Sequence, residues 1–163
     1  MNATPGDPAS IPEGYEIVQR TQGSTFAGLV GPFYAKREGH EGRDGRELSL
    51  GLRIEQRHLN SRGTCHGGLL ATLADVALGY ACVAANEDGQ SRNFVTIDLA
   101  VEYLAATQAG DWLYSEVRVM NADTRTAAAA GHLLVEGRPV ARISANFRMA
   151  RARAPQAAGS DGN

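Results

Sequence analysis

Asp75 is the only carboxylate in an apolar run that extends from Leu69 to Ala85. An unpaired charge in such surroundings is expensive, so it shifts its pKa or acquires partners. A core aspartate satisfied by a backbone group or a threonine is one reading; a reactive carboxylate is the other. The start of the same segment favours the second, because His66-Gly67-Gly68 precedes the run with two successive residues lacking a Cβ. The first turn of a helix carries free N–H groups and the positive end of its dipole. Glycine lets a ligand oxygen approach that backbone closely. A carboxylate acting as nucleophile or base, together with amides that receive a developing oxyanion, is the minimum for hydrolysis of an acyl bond.

The element that must position these groups is one helix over residues 66–86, apolar on every side of its wheel and therefore expected to be wrapped by protein. Its length of about 31 Å would also cross a bilayer, but a carboxylate at the centre of a span costs on the order of 2.5 kcal/mol or more. A membrane role is therefore not expected. Gly67 and Asp75 are eight residues apart, which places them about 12 Å apart along the axis. One reacting carbonyl cannot bridge that gap at hydrogen-bond range. If both serve one site, two chains must supply them, and a two-fold dimer with antiparallel helices would form two equivalent sites.

Competing chemistries are weaker. Cys65 and His66 are adjacent in sequence, and neighbours on a helix do not face each other. No Gly-x-Ser-x-Gly elbow occurs, which argues against a serine hydrolase of that type. His58, His66 and His132 show no paired metal-ligand spacing, so no metal is expected.

The chain has 163 residues, 43% of them apolar and 21% charged, with a net charge of -2. That suits one globular domain and offers no basic stripe for nucleic acid. Two cysteines, Cys65 and Cys82, suit a reducing compartment without a disulfide framework. The N-terminal MNATPGDPAS lacks a charged n-region and an apolar h-region, and a cytoplasmic location is expected. Residues 1–12 and 151–163 are rich in polar and small residues and read as disordered ends around a domain at 13–150.

Within that domain, residues 11–22 suggest a short helix or turn. Residues 26–36, interrupted by Gly28, Gly31 and Pro32, suggest an irregular edge strand, followed by a turn at 38–45. Leu48, Leu50, Leu52 and Ile54 alternate with polar or small residues, the signature of a half-buried strand. After the helix, a turn at 87–90 leads to strands at 95–103, 112–120, 127–136 and 140–149, the last two forming a hairpin across Gly137-Arg138-Pro139. Strict alternation in the first of these puts Val95, Ile97, Leu99, Val101 and Tyr103 on the face toward the helix, and Thr96 on the other. One helix inserted early in an antiparallel meander is an α+β arrangement.

The pattern Asn60-x-x-Gly63-Thr64-x-His66-Gly67-Gly68, with Leu73-x-Asp75 downstream, resembles the hotdog-fold acyl-CoA thioesterases of the phenylacetate-pathway and thioesterase-superfamily-member type. The resemblance implies a hotdog fold, a long central helix wrapped by a curved antiparallel sheet of about five to six strands, assembled as homodimers and usually homotetramers. It implies an acyl-CoA substrate and no cofactor besides the CoA that the substrate carries. Asp75 would be nucleophile or general base, and the Gly67 amide would polarise the thioester carbonyl. Asn60 and His66 would order the loop and the attacking water, and Thr96 would position that water, although strand alternation points it the wrong way. Gly68, Leu69, Leu73, Val76 and Tyr80 would line the acyl slot. Arg62, with Arg148, Arg151 and Arg153, would meet the CoA phosphates. A binding module for acyl-CoA or an aromatic ligand, without chemistry, would keep the slot and not need Asp75. A hydratase pairing His66 with Asp75 across chains is a more distant alternative, since the surrounding motif differs.

Overall fold

The computed structural model describes residues 10–19, 25–40, 43–85 and 94–150. Strands β1 (Glu16–Ile17), β2 (Tyr34–His40), β3 (Arg43–Arg53), β4 (Phe94–Tyr103), β5 (Trp112–Ala122), β6 (Thr126–Val135) and β7 (Arg138–Met149) form one sheet. Their order is β1-β2-β3-β5-β6-β7-β4, and every neighbouring pair is antiparallel. A short helix α1 (Phe26–Val30) precedes β2, and the long helix α2 (Gly67–Ala84) packs on the sheet. This is the expected helix-on-sheet architecture, with seven strands in place of five or six.

The extra strand is β1, two residues in the middle of the segment expected to be a helix or turn; it adds to β2 by pairing Glu16 with Ala35. The segment expected to be one irregular edge strand splits in two. Thr25 caps α1 through its hydroxyl, which accepts from the Gly28 amide, and Gly31-Pro32 ends the helix. Proline cannot continue a helix and pushes its predecessor toward extended geometry, so β2 begins only at Tyr34. The turn expected at 38–45 is narrower, since β2 and β3 together leave only residues 41–42 outside the described strands. The ends at 1–9 and 151–163 and the turn after α2 lie outside the described residues.

One face of α2 is the core. Leu69, Leu70, Leu73, Ala74, Ala77, Leu78, Ala81 and Cys82 are buried against Leu50, Leu52, Leu113, Leu133, Ile143 and Phe147 of the sheet. Leucines buried to this degree each contribute about 1.5–3 kcal/mol of hydrophobic free energy. The helix is long and apolar enough to cross a membrane by length and composition, yet it lies across this sheet. The wrapping is incomplete: Gly68 and Val83 are exposed, and Thr72, Asp75, Val76 and Gly79 are half-buried. These residues recur at spacings of three and four, so they form one stripe along the helix. The expectation of a helix covered on every side thus fails for the single chain, because the sheet ends at β4.

Candidate active site

The loop that delivers the start of α2 is built by Asn60. Its Nδ2 donates to Thr64 Oγ1 at 2.9 Å, and its Oδ1 accepts from the amides of Arg62 at 2.9 Å and Thr64 at 3.4 Å. Its own backbone amide donates to Thr64 O at 2.8 Å. An asparagine whose side chain binds the backbone two residues on is a turn-former, and Gly63, at φ 77°, supplies the left-handed residue that closes the turn. A bridge between Leu59 and Cys65 completes the loop. Asn60 therefore orders the loop, with the hydrogen bonds of its amide directed into it.

His66 caps α2. Its Nδ1 accepts from the Gly68 amide at 2.9 Å, which places the ring proton of the neutral imidazole on Nε2. The Leu69 amide donates to His66 O at 2.9 Å. The amide of Gly67 is left without an acceptor among the described residues, so it is a free donor at the positive end of the helix. Gly68 flanks it, with its amide taken by the cap.

Tyr103 was not singled out from the sequence, where it reads as the last apolar residue of a strand. Its hydroxyl donates to Gly67 O at 3.0 Å, and its ring lies 3.2 Å from where a Cβ on residue 67 would stand. A Cβ at that position would press on the ring, which would have to give by a few tenths of an ångström, so glycine eases packing as well as access.

Asp75 lies on the open stripe, two turns from Gly67. Thr96 Oγ1 donates to Asp75 Oδ1 at 2.7 Å, and among the described residues the second carboxylate oxygen has no partner. Strand alternation had turned Thr96 away from the helix, and the sheet register shows why that fails. Thr96 lies opposite Phe147, but Asp98 lies opposite Asn146, so Ile97 is an extra residue in β4. A bulge of this kind offsets the alternation by one. Thr96 therefore shares the inward face of Leu99, Val101 and Tyr103, while Val95 and Ile97 are turned out, 42% and 59% exposed.

Leu69 and Leu73 belong to the buried core, at 4% and 0% exposure, and do not line the open side of the helix; Val76 and Tyr80 are half-buried, Val76 on the stripe with Asp75. Arg62 is exposed on the loop. Arg148 is exposed on β7, and Arg151 and Arg153 fall outside the described residues. Burial pushes the Cys65 thiol up and the Cys82 thiol up to about 11, so neither is a thiolate at neutral pH. Among the described residues no group of histidine, cysteine or acidic side chains could hold a metal ion.

Residues 62–142 match the family model described as Thioesterase superfamily. A provisionally named esterase of Pseudomonas aeruginosa is 37% identical over 140 residues, spanning 86% of this chain and 98% of the relative. Among solved structures, a phenylacetic acid degradation-related protein of Ralstonia eutropha superposes with a TM-score of 0.62 at 25% identity, over 75% of this chain and 87% of its own. A protein of Streptococcus pneumoniae described as a hypothetical thioesterase and solved with coenzyme A gives 0.60 at 20% identity, over 75% and 91%. The helix-and-sheet fold, the loop motif and the near full-length relative agree, and the chain belongs to the thioesterase superfamily, the thioester hydrolases of the hotdog fold.

Proposed function

We propose that the protein hydrolyses an aryl-acyl or medium-chain acyl-CoA, at a site that two protomers share. The observation that carries this reading is the pair of unused groups on one helix: the free Gly67 amide at its start and the half-partnered Asp75 two turns on. The Gly67 amide of one protomer polarises the thioester carbonyl. Asp75 of the other attacks that carbonyl or deprotonates a water that does, and the Thr96 hydroxyl holds the carboxylate in place. Water supplies the hydroxyl of the product acid and the proton that leaves with the CoA thiol.

Two features support the second protomer. Among the described residues β4 has a partner only in β7 and stands at the edge of the sheet, where an unpaired row of N–H and C=O groups invites another strand. The open stripe of α2 runs beside it. Pairing β4 with a second β4 would continue the sheet and set two helices side by side, covering Val76 and Gly79. The coenzyme A held by the pneumococcal structure supports CoA as the leaving group. Exposed Arg62, on the loop before the helix, has the charge to meet its phosphates, and no cofactor enters the reaction. The free thiols of Cys65 and Cys82 suit an enzyme of the reducing cytoplasm.

The test is turnover. Purified protein is given a panel of aryl-acyl and straight-chain acyl-CoA thioesters with a thiol reagent. Thiol release that disappears in Asp75→Ala supports the reading; no release from any thioester, or parental rates in Asp75→Ala, contradicts it.

A further inference from the structure

We propose that His58 is a positioning residue for the hydrolytic site: its imidazole, held between two backbone groups, fixes the carbonyl that orients His66 at the start of α2. The proposal rests on the reading of the Gly67 amide as the oxyanion donor. His58 ends a single 3-10 turn (Gln56–His58) just before the loop, and it is 5% exposed. Its Nδ1 accepts from the Glu55 amide at 2.9 Å, so its Nε2 carries the proton and donates to Val30 O at 2.9 Å. Its backbone carbonyl accepts from the His66 amide at 2.8 Å. One residue thus joins α1, the turn and the cap of α2.

Arg57 reinforces the joint, donating from Nη1 to Leu29 O at 2.9 Å and from Nη2 to Gly31 O. The carbonyls of residues 29, 30 and 31, the free end of α1, are all taken by these two adjacent side chains. That gives α1 its reason for existing as a five-residue helix far below independent stability. It is a fixed wall against which the imidazole is set. Burial, and then the Arg57 guanidinium, push the His58 pKa down from 6.5, against the Val30 hydrogen bond and Glu55. The ring therefore stays in the neutral form that can accept at Nδ1. A shift of the His58 carbonyl would move the peptide of His66, and with it the Gly67 amide one residue on. Misplacement by about 1 Å at a reacting centre can lower a rate by about 100-fold.

His58→Asn keeps an acceptor for the Glu55 amide and loses the reach to Val30 O; His58→Gln keeps that reach and loses the acceptor. Each is compared with the full-length parent in thioester turnover and in native-state exchange of the His66 amide by NMR. The expected result is kcat lower by about tenfold with KM nearly constant, the signature of lost transition-state stabilisation. The His66 amide should exchange about tenfold faster beyond any change shared by the core amides of Leu113 and Ile143, which report the loss of global stability. Unchanged His66 exchange in both variants overturns the proposal whatever the role of Gly67. Faster exchange with parental kcat overturns it as well, and Gly67→Ala then identifies the cause: if that variant also keeps its kcat, the donor reading has failed, and if it loses kcat, only the role of His58 has.

Discussion

The hydroxyl of Thr96 donates to Oδ1 of Asp75 at 2.7 Å, joining the edge strand β4 to the middle of α2. The contact exists because Ile97 is an extra residue in the strand, and it leaves one carboxylate oxygen free on the open side of the helix. Removing the acid should therefore remove the chemistry and leave the fold. Asp75→Asn is expected to lower kcat by about 10²–10⁴-fold, the usual contribution of a positioned acid or base. Thermal unfolding and circular dichroism should match the parent, because Asp75 is not in the buried face of α2.

The threonine can be tested separately from the acid. A hydrogen bond to a charged group contributes about 1.5–3 kcal/mol, which corresponds to about 10–150-fold in rate if it is needed in the transition state. Thr96→Val preserves shape and loses the donor, so kcat should fall within that range. Thr96→Ser should recover most of it, since the hydroxyl is retained. Steady-state kinetics on the three proteins check this.

Gly67 is constrained by Tyr103 as well as by its amide. In Gly67→Ala the new methyl meets the tyrosine ring at 3.2 Å, so the ring or the helix start must shift and kcat should drop. Tyr103→Phe removes only the donor to Gly67 O and should have the smaller effect. Kinetics of both variants, with an unfolding curve to confirm that the core is intact, distinguish the two contributions.

The depressed pKa of His58 gives stability a pH dependence with a definite sign. The unfolded imidazole titrates near 6.5 and the folded one below it, so the neutral ring's contribution is full above pH 6.5 and is lost as pH falls through the lower folded value. The stability difference between parent and His58→Gln should be largest at about pH 7.5 and shrink at about pH 5. Denaturant unfolding of both proteins at the two pH values measures it; a difference that grew on acidification would contradict the assignment.

Much of this site could be read from residue order alone. An apolar run opened by His66-Gly67-Gly68 and interrupted once by Asp75 fixes a helix, a donor and an acid, because composition and spacing along one element carry that information. The alternation in residues 141–149 likewise gives most of β7, whose register against β6 is unbroken from Ala141 to Arg148 and shifts only at Val140. Thr96 was not legible in its proper place: a one-residue bulge at Ile97 changes which side chains face the helix, and nothing in Phe-Val-Thr-Ile-Asp-Leu marks it. α1 was hidden by Gly28, Gly31 and Pro32, which suggest a broken strand; it is held from outside, by Arg57 and His58. The role of Tyr103 depends on a contact 36 residues distant in sequence. The extent of wrapping around α2 depends on where the sheet ends, which one chain's pattern does not specify.

The central claim is that the acid and the donor serving one substrate come from different chains, and subunit mixing tests it directly. Asp75→Asn and Gly67→Val are each prepared as inactive proteins, then unfolded together in equal amounts and refolded. In a two-fold dimer, half of the particles are mixed and each mixed particle regains one intact site, so recovery of about one quarter of parental activity is predicted. Activity no higher than the sum of the two variants refolded separately would show that each chain carries a complete site, and would contradict the account.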